Sequence, residues 1–230
     1  PVTTTTTYGN VYEDNNVYED TSVYEGGEIL GTSDSTDKIL GTSYNERVGS
    51  ALSLSSDNTK LAVGTIENGV QIYEWNDSNE SWNVLGERLD EIGMGEEGGG
   101  MKKVSLNSNG TIVAIGYMRA AYGTFIYTDA KTGAEVEKVS YPGVVYVYTW
   151  NNTSWVQMGE ILFGDTDEVY FGTSVSLSSD GSVLAVAQKG DGNDGFVQVY
   201  QYDNTNNLWG TIGSVISDYN EEVNMVSLNS

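Results

Sequence analysis

Short runs in which apolar residues alternate with serine recur along the chain: Ala51-Leu-Ser-Leu-Ser-Ser-Asp57, Val104-Ser-Leu-Asn-Ser-Asn109, Val175-Ser-Leu-Ser-Ser-Asp180 and Val226-Ser-Leu-Asn-Ser230. Alternation at a period of two is the mark of a strand with one buried face. The first three runs each reach a turn pair, Asp57-Asn58, Asn109-Gly110 and Asp180-Gly181, and a continuous apolar run follows at Leu61 to Val63, Ile112 to Ile115 and Val183 to Val186. Asn-Gly and Asp-Gly supply the positive φ values of a tight hairpin turn, so the two runs are predicted to pair antiparallel. A third strand with strict alternation is predicted at Val70 to Trp75, Val145 to Trp150 and Phe196 to Tyr202. A fourth begins at Trp82, Trp155 and Trp209, each followed at +4 by Gly86, Gly159 and Gly213 and at +7 by Leu89, Leu162 and Ile216.

The leucine shared by the four serine runs falls at 54, 106, 177 and 228, which gives spacings of 52, 71 and 51. A unit of about 50 residues with four antiparallel strands is the size and content of a β-propeller blade. The expected fold is therefore all-β, an incomplete ring of about 3.5 blades. Residues 1–30 read as a Thr-rich start and the outer strands of a preceding blade, because Gly27-Glu-Ile-Leu30 matches Gly159-Glu-Ile-Leu162. Blades are expected over 31–89, 90–162 and 163–216, with 217–230 as the first strand of another. The long second spacing reflects an insertion at about 117–142, read as an extra hairpin around Asp129-Ala-Lys-Thr-Gly133. An unclosed ring exposes an apolar flank, so further chain, a second copy or another protein is expected to cover it.

Composition narrows the chemistry. The 230 residues include no His and no Cys, which removes triads, thiol nucleophiles and ordinary zinc or haem sites. Against 10 Lys and Arg stand 33 Asp and Glu, a formal charge of −23. That charge disfavours nucleic acid and anionic lipid surfaces and suits cations, glycans and basic proteins. No apolar stretch is long enough to span a bilayer. The hydrophobic fraction is 38%, but 16 Tyr, 5 Trp and 4 Phe supply aromatic area for a core. A start at Pro1 rather than Met suggests a processed precursor or a fragment.

Tyr170-Phe171-Gly172-Thr173-Ser174-Val175 resembles the Phe-Gly-x-Ser-Val core of FG-GAP repeats, the blades of integrin-α-type propellers, and Arg47-Val48-Gly49-Ser50-Ala51 is a looser copy. The run Ser-Leu-Ser-Ser-Asp-Gly, then Val-Leu-Ala-Val, then Val-x-Val-Tyr, also resembles propeller repeats of secreted microbial and algal surface proteins. The resemblance covers about residues 17–230. It implies an extracellular adhesive or structural role. The Asp-x-Asp-x-Asp-Gly calcium loop of that family is missing from the first turn of each unit, so its calcium sites do not carry over.

Candidate sites are few. Asp191, Asn193 and Asp194 in Gly190-Asp-Gly-Asn-Asp-Gly195 offer clustered oxygens for calcium, the one cofactor considered; otherwise none is expected. The same letters fit a dinucleotide fingerprint, but a strand follows them where a helix is needed. Five sequons, at Asn76, Asn79, Asn109, Asn151 and Asn152, fall in polar turns and favour secretion and glycosylation. Tyr122, Phe125, Tyr127 and Lys131 in the inserted hairpin are the candidate partner contacts, since projections that interrupt a repeat carry specificity. Acidic groups recur after each Trp strand and read as solvated rim loops. The expected function is a non-catalytic extracellular structural or adhesive module of a larger surface or filament assembly, with protein partners and glycans as a further class. The alternatives are a carbohydrate-binding or carbohydrate-active propeller and a viral or phage surface protein. The chain is not expected to be an enzyme, a carboxylate-based glycosidase being the residual option.

Overall fold

The computed structural model describes residues 39, 47–66, 69–90, 102–118, 143–164, 170–189, 195–217 and 225–228, and the backbone of strands at 12–13, 16–17, 124–128 and 135–139. Among these residues every regular element is a β-strand. A short hairpin of β1 (Tyr12–Glu13) and β2 (Asn16–Val17) comes first. Sheet I follows as an antiparallel meander of β3 (Ala51–Leu54), β4 (Lys60–Gly64), β5 (Val70–Asn76) and β6 (Ser81–Val84). Sheet II contains β7 (Lys102–Leu106) and β8 (Ile112–Tyr117). The insertion then forms its own hairpin of β9 (Thr124–Thr128) and β10 (Glu135–Val139). The chain re-enters sheet II with β11 (Val144–Trp150), which pairs with both β12 (Trp155–Gln157) and β13 (Leu162–Phe163). Sheet III is β14 (Tyr170–Leu177), β15 (Val183–Lys189), β16 (Phe196–Asp203) and β17 (Leu208–Ser217), paired in that order.

The second strand of sheet II is apolar on both faces because both faces are covered. On β8, Val113 and Ile115 pack with Ala62, Val70, Ile72 and Leu89 of sheet I, while Ala114 packs with Val175, Leu184 and Val186 of sheet III. On β11, Val144, Tyr146 and Tyr148 join the first cluster, and Val145 and Val147 join the second. Sheet II is thus filling between two neighbours. The burial of the Tyr148 phenol there, beside Tyr146, pushes its pKa up to about 12.

The first two strands of each sheet pair antiparallel, as expected, through a tight turn that includes a positive-φ residue. Each turn has one such residue here, Asn58 at 59°, Gly110 at 65° and Gly181 at 75°. Four residues lie outside the pairing, closed by the Ser55 N–H donating to the Lys60 carbonyl at 2.8 Å and by its counterparts Asn107 to Ile112 at 3.0 Å and Ser178 to Val183 at 2.8 Å. The preceding Asp or Asn shapes the loop through its side chain. Asp57, Asn109 and Asp180 accept the backbone N–H of Thr59, Thr111 and Ser182 at 3.0, 3.1 and 2.9 Å.

Those bonds lower two pKa values. Asp57 is held below the ordinary carboxylate range first by the Ser55 hydroxyl, and Asp180 first by the Ser182 N–H. A depressed folded-state pKa adds stability that is complete above the unfolded value, near 3.8, and is lost as pH falls through the lowered one. Asn109 fills the same position without a charge. The double variant Asp57→Asn, Asp180→Asn is therefore expected to keep its turns and to show a shallower fall in urea midpoint than the parent between about pH 5 and about pH 2. Equal slopes would mean that these bonds contribute nothing to acid sensitivity.

Candidate functional site at the joints between sheets

The first strand of each sheet lies on its edge, where every second backbone N–H points out of the sheet and needs an acceptor. Asn107 and Ser178 donate within their own sheets, so the N–H groups of Leu106 and Leu177 point outwards. A serine of the preceding sheet meets each of them. Leu106 donates to Ser53 Oγ at 2.9 Å and Leu177 to Ser105 Oγ at 3.0 Å. Leu228 donates likewise to Ser176 Oγ at 2.9 Å, and Val226 to Ser174 Oγ at 3.1 Å. Residues 225–228 thus take the place of the first strand of a fourth sheet, although they form no ladder. The neighbouring turns are also linked, Ser56 N–H to the Ser108 carbonyl at 2.9 Å and Ser108 N–H to the Ser179 carbonyl at 3.0 Å. Ser105→Ala leaves the buried Leu177 N–H without its acceptor and is expected to cost about 1–3 kcal/mol in urea unfolding. A loss within error of zero would show that this contact is incidental.

A second contact joins the fourth strands. Trp155 donates its indole N–H to the Leu85 carbonyl at 3.0 Å, and Trp209 donates to the Met158 carbonyl at 2.9 Å. Each acceptor precedes the glycine four residues after that sheet's own Trp. Gly86 and Gly159 have φ of +74° and +79°, and the space where a Cβ would stand is filled by tryptophan: 2.6 Å from Trp150 and 2.9 Å from Trp155 at Gly86, 2.5 Å from Trp209 at Gly159. A ring on the third strand braces each plug. Centroid distances are 5.4 Å for Trp150 and Trp155, and 5.2 Å for Tyr202 and Trp209.

The same parts stand open at the two ends. Gly213 has φ +68° like its counterparts, yet among the described residues nothing lies within 4 Å of its Cβ position. Ile216 is 64% exposed, against 5% for Leu89 and 7% for Leu162 at the equivalent positions. Ile212 is 41% exposed where Met158 is 8%. On sheet I, Leu54 is 50% exposed while Leu106 and Leu177 are 8% and 6%. Trp82 stacks edge-on against Trp75 at 5.5 Å, and its indole N–H has no acceptor among the described residues. A buried cation also sits at the first joint. Lys102 Nζ donates to the Ile66 carbonyl at 2.8 Å and lies 5.5 Å from the Tyr117 ring centroid.

No family model and no curated protein sequence matches the chain. Solved structures do show a distant likeness. A candidate 6-phosphogluconolactonase from Bacteroides uniformis is 11% identical, with 92% of this chain and 64% of that chain covered and a TM-score of 0.35. One from Bacteroides fragilis is 14% identical over 76% of this chain and 55% of that chain, at a TM-score of 0.34. The chain spans less than two thirds of either. The expectation that the chain is not an enzyme is corrected on this finding, since the structures it is similar to carry an enzyme's name. The physical reason is plain: a chain without imidazole and thiolate still has carboxylate, Lys, Tyr, Ser and Thr for acid–base work. At these TM-scores neither likeness assigns an activity or a site.

Among the residues singled out from sequence, Asn79, Asn109, Asn151 and Asn152 are exposed and Asn76 is half-buried. The side-chain oxygens of Asn109 and Asn151 accept the hydroxyls of Thr111 and Thr153 at 2.6 and 2.7 Å, which leaves both side-chain amides pointing away from the turn bond. Phe125 and Tyr127 lie on β9, but their side chains, like Tyr122 and Lys131, are outside the described residues. So are Asp191, Asn193 and Asp194, and most of the acidic clusters. Sequence reasoning missed the Ser53, Ser105 and Ser176 staple and the buried Lys102. The signal for the staple was present, a serine at one fixed place in every alternating run.

Proposed function

We propose that the chain is a run of β-propeller blades of FG-GAP-like type that serves as a structural or adhesive module of an extracellular or cell-surface assembly. The observation that carries this reading is a joint of one design used twice, between sheets I and II and between sheets II and III. Its two halves have different thickness. At the first strands, turn touches turn through backbone bonds of 2.9 and 3.0 Å, whereas at the fourth strands a whole indole is interposed. Sheets held close on one edge and apart on the other fan about an axis, which is the arrangement of blades. Repeat joints of this kind present long surfaces to protein partners and glycans.

The extracellular part of the reading rests on the sequons at exposed turns. Expression through a eukaryotic secretory pathway, followed by mass spectrometry, is expected to find oligosaccharide at Asn79, Asn109 and one of the adjacent Asn151 and Asn152. Secreted protein with all five sequons bare would count against it.

A further inference from the structure

The fourth strand of sheet III departs from those of the other two sheets. β6 has four residues and β12 three; each strand ends before its glycine, Gly86 or Gly159, and an exposed glutamate follows, Glu87 or Glu160. β17 instead runs unbroken for ten residues, through Gly213, with Ser214 where the other units carry glutamate. We propose that the outer edge of β17 is a pairing site for β17 of a second copy of this chain, the two strands joining antiparallel about a two-fold axis. The inference does not depend on the number of blades or on what precedes or follows sheet III, because the edge concerned is the outer one of that sheet's own four strands.

A strand edge presents N–H and C=O groups that point out of the sheet and template another strand. β17 is bonded to β16 on one side, and among the described residues no strand lies on the other. The Trp209 N–H marks the outward direction, since it turns away from β16 to the Glu160 carboxylate, 3.3 Å from each oxygen. At a period of two, the N–H of the exposed Thr211 points the same way. Residues 225–228 do not serve this edge. They stand at the opposite one, beside β14, where Val226 and Leu228 donate to Ser174 and Ser176 Oγ.

The chemistry of the edge selects its occupant. Edge strands are kept from pairing by charge, by short length or by a break, and the first two units use all three. β17 uses none of them: residues 208–217 contain no charged side chain and no proline, and Thr211, Ile212, Val215 and Ile216 are β-branched and exposed. The strand offers no charge by which a basic or acidic peptide would be recognised. Two copies, each with a formal charge of −23, repel one another over most of their surfaces. Here they meet without setting carboxylate against carboxylate, and an uncharged strand is complementary to its own reverse. A two-fold contact uses one β17 edge from each copy, so it closes at a dimer.

The test is sedimentation of the 230-residue chain at about 0.1 mM, at low salt and at about 0.5 M salt, with backbone amide exchange read by NMR on the same samples. A dimer is expected, its fraction rising with salt as screening relieves the repulsion. The Thr211 N–H is expected to exchange about 10-fold or more slowly in the dimer than in a dilute sample, because only the partner strand covers it. Ser214→Glu restores the residue that the other two units carry, so it is expected to keep the parent's urea midpoint and to weaken pairing about 10-fold or more. Ser214→Thr, uncharged, is expected to pair as the parent does. A monomer at both salt concentrations, an assembly that grows past the dimer, a dimer that Ser214→Glu leaves intact, or one in which the Thr211 N–H exchanges as fast as in the dilute sample overturns the proposal. Should Ser214→Glu lower the urea midpoint, the exchange of the Thr211 N–H in the parent decides alone.

Discussion

Gly159→Ala is expected to destabilise the chain by about 2–5 kcal/mol, and Gly213→Ala by only about 1–2 kcal/mol. Both glycines have a left-handed backbone, φ +79° and +68°, so an alanine at either meets the same steric cost of that conformation. They differ in what stands opposite. At Gly159 the new methyl would lie 2.5 Å from Cδ1 of Trp209, whose ring is held by its bond to Met158 and by Tyr202. Relief requires the indole to leave its socket, which is an overpacking cost of about 1–3 kcal/mol. Gly213 faces no atom within 4 Å among the described residues. The difference between the two variants, read from urea unfolding, isolates the joint. Equal losses would show that the socket has no energetic content.

The second large effect is at the plug. Trp209 is 4% exposed and Trp155 is 5% exposed, and truncation of a buried Trp to Ala costs about 3–5 kcal/mol. Trp82→Ala is expected to cost less, because Trp82 is half-buried and its indole N–H has no acceptor among the described residues. Trp209→Phe separates the two parts of the effect, since it keeps a ring in the socket and removes the donor to the Met158 carbonyl. Its loss should fall between those of the parent and the alanine variant. Among the described residues each sheet packs against the next along the chain, as in other repeat proteins, so Trp209→Ala is also expected to unfold sheet III ahead of sheets I and II. A single transition, unchanged in cooperativity, would contradict that.

The units themselves were legible in the sequence, because two periods coincide there: alternation at two within a strand, and recurrence of the Leu54, Leu106, Leu177 and Leu228 pattern from unit to unit. The regular recurrence of Trp82, Trp155 and Trp209 points to packing between neighbouring units, but it does not say which residue each indole meets. Trp82, Gly86 and Leu89 share a spacing with Trp155, Gly159 and Leu162, and that spacing looks like a relation inside one unit. In space the indole of one unit fills the glycine socket of the unit before it. In a repeat, contacts within units and contacts between units leave the same trace in the chain. Burial was not legible either. Leu54, Leu106 and Leu177 are one residue type in one motif, and their exposure differs because only the last two have a sheet before them among the described residues. The antiparallel pairing and the positive φ of the turns were legible in Asp57-Asn58 and Asp180-Gly181, whereas the Asx side chain that closes a four-residue loop was not.

The whole account depends on sheets that are locked to one another by buried indoles, and hydrogen exchange of the five tryptophan side-chain N–H groups reads this lock directly. In a nitrogen-15 spectrum of the protein, the indole signals of Trp155 and Trp209 are expected to exchange slowly, because both N–H groups are buried and bonded to main-chain carbonyls. Trp82, unbonded among the described residues, and Trp75, bonded only to the exposed Asp77 carboxylate at 2.9 Å, are expected to exchange fast. Fast exchange at Trp155 and Trp209 would contradict the account.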